Sequence, residues 1–277
     1  MKEDIKKVCV ITGGGSGMGL ATAKVMGKDH YIIIAGRTLS KLDGAINELK
    51  ELNIEAEAFR CDVSDRTSVE ELAKRAKEIG VIKSVIHAAG MSPNMGKPEI
   101  IMAVNALGTI NINEVFYEYM EEGSCLIDVS SMSAYLTPKF VMPLKKYKLS
   151  REDKDLFMKK MMKRVNIFPK KVRSGVAYGI SKNFVIWYAK TDAVKFGQKG
   201  IRVLSVSPGS FETPMGELEK DSVENYTEFC AIKRLGKVEE IAHLFAYCVD
   251  QKLGYLTGID ILCDGGCVAS GINPMNM

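Results

Sequence analysis

Residues 7 to 26 pass from an apolar strand through a glycine-rich turn into a helix, and this order constrains the fold most. The strand segment is Lys7–Thr12, KVCVIT, and the turn that follows reads TGGGSGMG from Thr12 to Gly19. The next residues, MGLATAKVM, have a helical pattern of apolar positions. A strand, a tight turn and a helix in this order are typical of a parallel sheet covered by helices.

The glycine-rich turn is a candidate binding site for a dinucleotide. Glycines let the backbone approach a pyrophosphate, whose charge is met by amide groups and by the positive end of the helix that starts near Gly17. The alternative is an ordinary glycine-rich turn with no ligand. The predicted cofactor contacts in this turn are Thr12, Gly13, Gly15, Ser16, Gly17, Met18 and Gly19.

The end of the second predicted strand, Tyr31 to Ala35, indicates which nicotinamide cofactor binds. When the cofactor lacks a 2′-phosphate, an acidic residue usually lies about 20 residues past the first glycines. Here Gly36 and Arg37 occupy that place. A guanidinium suits a phosphate, and one such contact contributes roughly 1.5–3 kcal/mol. We therefore expect NADP(H) in preference to NAD(H), with Arg37 and Thr38 as contacts, although an Arg37 that stacks on the adenine would suit either cofactor.

Strands and helices continue to alternate along the chain. Helices are predicted near residues 39–52, 69–78, 101–119 and 237–248, and strands near 55–60, 84–87, 125–129, 201–206 and 259–262. This alternation predicts a single α/β domain with a Rossmann-type doubly wound parallel sheet, whose ligands collect beyond the carboxyl ends of the strands. Asp62 is expected to accept from the adenine amino group, while Asp65 looks like a helix cap. The predicted cofactor contacts at these strand ends are Asp62, Val63, Ala88, Ala89 and Gly90.

Two further polar residues are candidates for the catalytic site. Asn105 lies inside the helix predicted near residues 101–119. Asn is a poor mid-helix residue, so either catalysis or a backbone contact is expected to explain it. Ser131 follows the strand that ends at Val129. Its hydroxyl is placed either to donate to a substrate oxygen or to cap the following turn.

Tyr178 and Lys182 are four residues apart at the start of a long helical pattern, so both side chains are expected to face one cleft. A phenol near an ammonium ionises more readily than one in water, and it can then exchange protons near neutral pH. Tyr135 and Lys139 have the same spacing, but Pro138 lies between them. Proline in a helix interior costs about 3 kcal/mol or more. Tyr178 and Lys182 are therefore the candidate pair for catalysis and cofactor binding.

The alternation of strands and helices stops between about residues 136 and 173, which we interpret as an insertion. Positions 137–173 hold 13 Lys or Arg and 3 Asp or Glu, so this segment carries +10 and the remainder carries −6. A capping box starting at Ser150 is predicted to open an amphipathic helix with Phe157, Met161 and Val165 on one face. That face is expected either to cover an apolar substrate or to pack against the core or a second subunit.

The C-terminal part adds a last group of predicted cofactor contacts: Pro208, Gly209, Phe211 and Thr213. Thr213 is expected either to bind the nicotinamide amide or to cap a short helix that begins at Pro214. The polar stretch from Glu217 to Ala231 is typical of a mobile lid. The tail from Cys267 to Met277 has no charged side chain, so it is expected to pack on a neighbour or a substrate.

Composition excludes several classes of protein. The N-terminal segment passes from charged residues to glycine within a few apolar residues, and nothing else is long and apolar enough for a signal sequence or a membrane span. Seven cysteines without CxxC spacing argue against a disulfide framework and indicate a reducing cytosol. A net charge of +4 gives no indication of nucleic-acid binding. His87 and His243 lack partners at metal-ligand spacing, so no metal site is expected.

With these residues in place, the chain resembles the short-chain dehydrogenase/reductase family over nearly its whole length. The resemblance implies that Ser131 orients a carbonyl group, Tyr178 passes the proton and Asn105 supports a water relay. It also implies that Lys182 binds ribose and lowers the pKa of Tyr178. The motifs that carry it, in the order of the family, are TGGGSGMG at Thr12, CDV at Cys61, AAG at Ala88, VNALG at Val104, SS at Ser130, YGISK at Tyr178, SPG at Ser207 and DGG at Asp264.

Three features depart from the family pattern. Ala88 stands where many members carry asparagine, and the link from Gly90 to Asn105 is shorter than usual. The interval between Ser131 and Tyr178 is far longer than is usual. The two length changes resemble the subgroup of 3α-hydroxysteroid dehydrogenase/carbonyl reductase enzymes, in which a helical insertion occupies this place.

The expectation is therefore a cytoplasmic, NADP(H)-dependent oxidoreductase that interconverts a secondary alcohol and a ketone by hydride transfer. A small apolar ring ketone, such as a steroid or bile acid, is the leading substrate class, and the basic insertion would attract an anionic group on it. The alternatives are a 3-oxoacyl-thioester reductase and a non-catalytic NADP(H)-binding regulator. The resemblance also implies a homo-oligomer, although the insertion is placed to obstruct the helix-pair interface that many members use.

Overall fold

Seven parallel strands form one sheet in the order β3-β2-β1-β4-β5-β6-β7. The computed structural model describes residues 5–219 and 226–271. Part of the expected lid, residues 220–225, and most of the expected C-terminal tail, residues 272–277, lie outside this description. The strands are β1 Lys7–Thr12, β2 Tyr31–Gly36, β3 Ala56–Arg60, β4 Val81–His87, β5 Cys125–Val129, β6 Arg202–Pro208 and β7 Asp260–Cys263.

The strand register brings the carboxyl ends of the central strands to one edge of the sheet. Thr12 of β1 is paired with Ala35 of β2 on one side and with His87 of β4 on the other. His87 is in turn paired with Asp128 of β5. All of these ends are buried, because helices cover both faces of a parallel sheet. The predicted Rossmann-type doubly wound sheet is confirmed.

Helices cover the sheet on two sides, and each side has its own apolar core. Phe184, Tyr188 and Phe116 are fully buried on the first side, and Phe245 is fully buried on the second. Short 3-10 turns and a π-helical turn at Ala103–Leu107 connect several of the helices. The α-helices whose bounds lie within the described residues are α1 Gly17–Met26, α2 Leu39–Glu51, α3 Arg66–Ile79, α4 Pro98–Met102, α5 Gly108–Tyr119, α6 Ser133–Leu136, α7 Lys154–Val165, α8 Arg173–Gly197, α9 Pro214–Glu217 and α10 Val238–Val249.

The stretch Pro98–Tyr119, which runs from α4 through the π-helical turn to α5, is long and apolar enough to cross a membrane. Judged by length and composition alone, the sequence prediction that no such stretch exists is therefore wrong. Most of this stretch is buried inside the protein, so its apolar residues belong to the core.

The insertion is an ordered part of the first core. Phe157, Met161 and Val165 of α7 are fully buried, and the Phe157 and Phe184 rings lie 4.7 Å apart, centre to centre. This face of α7 therefore packs against the body of the protein. The predicted capping box at Ser150 is wrong, because the Ser150 hydroxyl donates to the Tyr147 carbonyl inside a 3-10 turn. Asp153 caps α7 instead, since its carboxylate accepts from the Leu156 amide.

Candidate active site

A continuous cavity of about 1140 Å³ opens at the carboxyl edge of the sheet. It is lined by all of the sequence-predicted site residues except Thr12 and Asn105, which lie behind it. Those that line it are Gly13, Gly15, Ser16, Gly17, Met18, Gly19, Arg37, Thr38, Asp62, Val63, Ala88, Ala89, Gly90, Ser131, Tyr178, Lys182, Pro208, Gly209, Phe211 and Thr213.

The glycine-rich turn between β1 and α1 is held by close backbone packing. Gly13 has φ of +71°, and a Cβ atom there would lie 2.9 Å from the Ala88 carbonyl carbon. A Cβ atom on Gly19 would lie 2.4 Å from the Gly13 carbonyl oxygen. Glycine is therefore required at both positions. The turn leaves the N-terminus of α1 facing the cavity, where amide groups and the helix dipole favour an anion.

Thr12 supports the turn from behind the cavity. Its Oγ1 atom lies 2.8 Å from Nδ1 of His87 and accepts a hydrogen bond from the Ala89 amide at 3.1 Å. Burial lowers the pKa of His87 to about 3, with a smaller contribution from Lys182. Thr12 and a neutral His87 thus connect β1 to the turn after β4, and Thr12 is not among the residues that line the cavity.

Two cations lie where the cavity passes the end of β2. Arg37 follows β2 directly, and Lys41 of α2 lines the same part of the cavity. Both side chains are exposed, and the first turn of α2 has no acidic residue. Lys41 was missed by the sequence reasoning, because Arg37 precedes the helix and no helical spacing relates the two residues.

Two aspartates near the end of β3 have different partners. Asp62 lines the cavity, and its Oδ1 atom accepts from the amide and the hydroxyl of Ser64 at 2.9 and 2.7 Å. Asp65 caps α3 by accepting from the Thr67 amide. The predicted cap at Asp65 is confirmed, and Asp62 is oriented by Ser64.

Tyr178, Ser131 and Ser133 lie close together in the cavity lining. Burial raises the pKa of Tyr178 above its usual value, and the Glu219 carboxylate adds to this, whereas the nearby Ser131 and Ser133 hydroxyls lower it. The Ser131 Oγ atom accepts from the Ser133 amide at 3.2 Å. One lone pair of Ser131 is thereby used, and its own hydrogen remains to donate to a ligand. Ser133 was not identified from the sequence.

Lys182 is buried beneath the cavity, one helical turn after Tyr178. Its Nζ atom donates to the Val129 carbonyl at 2.9 Å and lies 5.9 Å from the centre of the Tyr178 ring. Burial lowers the pKa of Lys182 to about 8, although the Asp128 carboxylate acts in the opposite direction. The two side chains share one face of α8 as predicted. The expected net lowering of the Tyr178 pKa is wrong in this geometry, because burial of the phenol outweighs its neighbours.

Asn105 lies in the π-helical turn, behind the loop after β4. Its side chain accepts from the Met91 amide at 2.8 Å and donates to the Met91 carbonyl at 3.0 Å and to the Ser181 hydroxyl at 3.1 Å. These contacts explain a buried asparagine inside an apolar segment. A π-helical turn displaces backbone groups from their usual partners and often occurs at functional sites. The Asn105 carbonyl accepts here from the Thr109 hydroxyl.

The rival pair, Tyr135 and Lys139, does not form one helical face. Helix α6 ends at Leu136, and Lys139 starts a separate 3-10 turn after Pro138. The Tyr135 hydroxyl donates to Asp260 at 2.5 Å, and burial and this carboxylate raise its pKa. The prediction that Pro138 separates the two residues is confirmed.

The insertion forms one wall of the cavity. The residues of the insertion that line the cavity are mostly apolar. Among them, within the part of the chain that the structure describes, Lys171 is the only cation. Arg164 holds this wall, because its guanidinium donates to the Val141 carbonyl at 2.9 Å and to the Phe140 carbonyl. Arg173 donates to the Phe168 carbonyl at 2.8 Å. The lining residues of the insertion are Leu136, Thr137, Pro138, Phe140, Val141, Phe168, Lys171 and Val172.

Two loops meet over the cavity opposite the insertion. The Glu219 carboxylate accepts from the Ser92 hydroxyl at 2.7 Å and from the amide of Asn94 at 2.9 Å. Thr213 caps α9 by accepting from the Gly216 amide. Phe211 pairs with Gly236 and is nearly buried. Leu218 and Glu219, near the start of the expected lid, are therefore tied to the loop that follows β4.

Comparison with known proteins gives matches over almost the whole chain. A family model described as short chain dehydrogenase matches residues 7–146, and one described as Enoyl-(Acyl carrier protein) reductase matches residues 166–268. The intervening residues, 147–165, belong to the insertion. Among curated relatives, the short-chain dehydrogenase/reductase bsc3 of Alternaria brassicicola is 27% identical over 265 residues, covering 94% of this chain and 95% of that protein.

A second relative, the 3-oxoacyl-[acyl-carrier-protein] reductase FabG of Thermotoga maritima, is 27% identical and covers 95% of this chain and 98% of its own. Two solved structures share the fold. A variant of actinorhodin polyketide ketoreductase with NADPH has a TM-score of 0.74 at 19% identity, covering 95% of this chain and 97% of that one. Levodione reductase has a TM-score of 0.76 at 22% identity, covering 95% and 98%.

Proposed function

Because the chain belongs to the short-chain dehydrogenase/reductase family, we propose that it is an NADP(H)-dependent enzyme that reduces an apolar ring ketone, with Tyr178 as general acid and base. That it is an oxidoreductase acting on an alcohol or ketone with a nicotinamide cofactor follows from the family. The observation that carries the finer proposal is the meeting of Ser131, Tyr178 and Lys182 at one end of a cavity with an apolar wall.

Each side chain at this end of the cavity has a separate role in ketone reduction. Ser131 donates to the carbonyl oxygen and orients it, since its oxygen already accepts from the Ser133 amide. Tyr178 delivers a proton to the same oxygen as negative charge develops there. Lys182 keeps a positive charge beneath the site that favours the phenolate form of Tyr178 after proton transfer. The cofactor, when bound, supplies the hydride to the carbonyl carbon.

The preference for NADP(H) is supported by Arg37 and Lys41 at the end of β2. Two cations and no acidic residue in the first turn of α2 suit a 2′-phosphate and leave no carboxylate for a ribose diol. The name of one structural neighbour, the actinorhodin polyketide ketoreductase, mentions NADPH, which is consistent with this proposal.

The substrate class follows from the insertion wall. Phe140 and Val172 line the cavity but remain 65% and 40% exposed, so an apolar ligand would remove this surface from water. Lys171 at the same wall would pair with an anionic group on the ligand. A rigid ring ketone with a distant carboxylate, such as a bile acid, or a neutral steroid fits these features.

A 3-oxoacyl thioester is the second candidate substrate. The similarity to the FabG reductase of Thermotoga maritima over nearly the full length of both chains favours it. A non-catalytic NADP(H)-binding regulator is a weaker alternative, because a regulator needs no proton-transfer residues.

The deciding experiment follows NADPH oxidation by the purified protein against steroid ketones, bile-acid ketones and 3-oxoacyl thioesters in parallel. We expect turnover with ring ketones. Efficient thioester reduction without ring-ketone turnover would reverse the order of the two candidates. Absence of turnover with every ketone, together with tight NADPH binding, would favour the regulator.

Tyr178→Phe tests the proton-transfer role directly. The variant should lower kcat by about 10²–10⁴-fold, the usual contribution of a general acid or base, with NADPH affinity nearly unchanged. Tyr135→Phe is the matched control, because it also removes a phenol hydroxyl but lies outside the cavity lining. Full activity of Tyr178→Phe would refute the assignment.

We further propose that the protein is a cytoplasmic homo-oligomer. Helix α7 of the insertion packs on α8 of the same chain, so any subunit contact through α8 must accommodate it. Light scattering coupled to size-exclusion chromatography, on the full chain, measures the subunit number.

A further inference from the structure

Ser133 has a buried hydroxyl that lies close to Tyr178 but makes no hydrogen bond of ordinary geometry. The residue opens α6, two positions after Ser131, and lines the cavity beside Tyr178. Within residues 5–219 and 226–271, its Oγ atom is fully buried and has no hydrogen-bond partner. Leaving a buried polar atom unpaired is unfavourable, and such an atom in a native protein requires a reason.

The backbone of Ser133 is fixed, while its hydroxyl is free to rotate. The amide donates to the Ser131 hydroxyl at 3.2 Å, and the carbonyl accepts from the Thr137 amide and hydroxyl at 3.0 and 2.7 Å. The Ser133 Cβ atom is therefore held in place next to Tyr178. Its hydroxyl hydrogen can turn toward any acceptor that arises there.

The number of hydrogen bonds that the substrate carbonyl oxygen can accept indicates the acceptor for the Ser133 hydroxyl. A carbonyl oxygen accepts two hydrogen bonds, and Tyr178 and Ser131 supply both in the proposed reaction. Ser133 is thus left as a third donor beside an oxygen, Oη of Tyr178, that becomes negatively charged when its proton leaves. In the same position its hydroxyl favours ionisation of Tyr178, whereas burial and Glu219 oppose it.

We propose that Ser133 is a positioning residue for Tyr178, whose hydroxyl donates a hydrogen bond to the phenolate oxygen once Tyr178 has released its proton. The inference rests on the proposed function, in which Tyr178 exchanges a proton with the substrate oxygen. In alcohol oxidation the substrate O–H bond breaks and its proton moves to the Tyr178 oxygen, while the carbinol C–H bond breaks and its hydride would pass to the oxidised nicotinamide, so that the alcohol becomes the ketone. Once Tyr178 is neutral again, its oxygen no longer carries the charge that the Ser133 hydrogen bond stabilises. Ser133 keeps its own proton throughout.

The test is the pH dependence of alcohol oxidation in Ser133→Ala. Tyr178 must be deprotonated in this direction, so loss of the donor should raise the pH midpoint of kcat/KM. We expect a shift of about one pH unit, which is about a tenfold lower rate on the acid side, with little change on the alkaline plateau. Ser133→Thr keeps a hydroxyl and should return the midpoint toward that of the wild type.

Ser174→Ala is the matched control for the loss of a serine hydroxyl. Ser174 lines the same cavity, but its hydroxyl donates to the Gly96 carbonyl at 3.2 Å, so its pH midpoint should not move. An unshifted midpoint in Ser133→Ala would overturn the proposal. So would a rise in KM at every pH with an unmoved midpoint, because that result assigns the hydroxyl to the substrate.

A second measurement needs no substrate and separates failure of this proposal from failure of the proposed function. The ultraviolet absorbance of tyrosinate is titrated in the wild type and in Tyr178→Phe, and the difference isolates Tyr178. The same difference between Ser133→Ala and the Ser133→Ala/Tyr178→Phe double variant isolates Tyr178 without the donor. A higher midpoint in the second pair supports the proposal even if no ketone is turned over, and equal midpoints refute it.

Discussion

A partly exposed cation of the insertion and a buried cation at the carboxyl edge of the sheet have opposite effects on stability. In the insertion, Arg151 binds the buried carboxylate of Asp192 at 2.7 Å and lies 4.3 Å from the centre of the Tyr188 ring. At the catalytic edge, Lys182 is 6% exposed, donates to the Val129 carbonyl, and has its pKa lowered to about 8 by burial. The arginine therefore stabilises the fold, whereas burial of the charged lysine opposes folding.

Among the variants that test this comparison, Lys182→Met should have the largest effect on the free energy of unfolding. The lowered pKa means that a charged Lys182 disfavours folding at every pH below about 8, and that this cost disappears as pH rises toward the usual pKa of 10.5. The difference corresponds to about 3 kcal/mol, so the variant should be more stable by up to about that amount at pH 7 and lose turnover. Urea unfolding at pH 7 and at pH 9.5 measures the gain and its decline.

Lys190→Met is the control for that experiment, because Lys190 is exposed on the same helix. Its free energy of unfolding should change little at either pH. A Lys182→Met variant less stable than the wild type at pH 7 would show that the lysine contributes to the fold in the same way as Arg151.

Arg151→Met should have the opposite sign. Removing a partner from a buried ion pair costs 3–5 kcal/mol, but about a third of the Arg151 side chain is exposed, so we expect a loss of about 2 kcal/mol. The loss should shrink at acid pH, since a protonated Asp192 needs no cation. Lys77→Met, which removes one member of an exposed pair with Glu121, should cost well under 1 kcal/mol by the same urea assay.

Arg37→Asp tests the cation at the opposite end of the cavity. Losing a charge-assisted contact of about 1.5–3 kcal/mol should raise the KM for NADPH about 10- to 100-fold, with the KM for NADH unchanged or lower. Lys50→Asp makes the same charge change at the far end of α2, outside the cavity lining. A wild type that prefers NADH, or an Arg37→Asp variant with an unchanged KM for NADPH, would contradict the proposed cofactor.

Arg164→Gln should have the smallest effect. Its guanidinium holds the Phe140 and Val141 carbonyls and lies 5.7 Å from the centre of the Phe168 ring, so its loss should loosen the apolar wall. We expect a severalfold rise in KM for a bulky ring ketone, equivalent to about 1 kcal/mol, and no change in NADPH affinity. Lys159→Gln on the same helix is exposed and should leave both unchanged. Equal KM values in the two variants would show that the insertion wall does not contribute to substrate binding.

Local patterns in the sequence predicted the scaffold and the glycine-rich turn because each depends on residues close together in the chain. The alternation of apolar strands and helices fixed the order of the elements, and Pro138 separated the rival tyrosine and lysine. Glycines near Gly13 and Gly19 indicated a close backbone approach. Boundaries were less certain, since α3 begins at Arg66 and β4 at Val81, both earlier than predicted. Tertiary packing extends such elements beyond their strongest local pattern.

Long-range contacts decided the features that the sequence left open or predicted wrongly. The apolar face of α7 suited either a ligand or a core, and only its packing against Phe184 assigned it to the core. The pKa of Tyr178 depends on burial and on Glu219, which is 41 positions away in the chain. The sequence by itself thus determined the family, the fold and the candidate residues. The three-dimensional structure decided their burial, charge state and partners, because desolvation and hydrogen bonding depend on what the fold brings together.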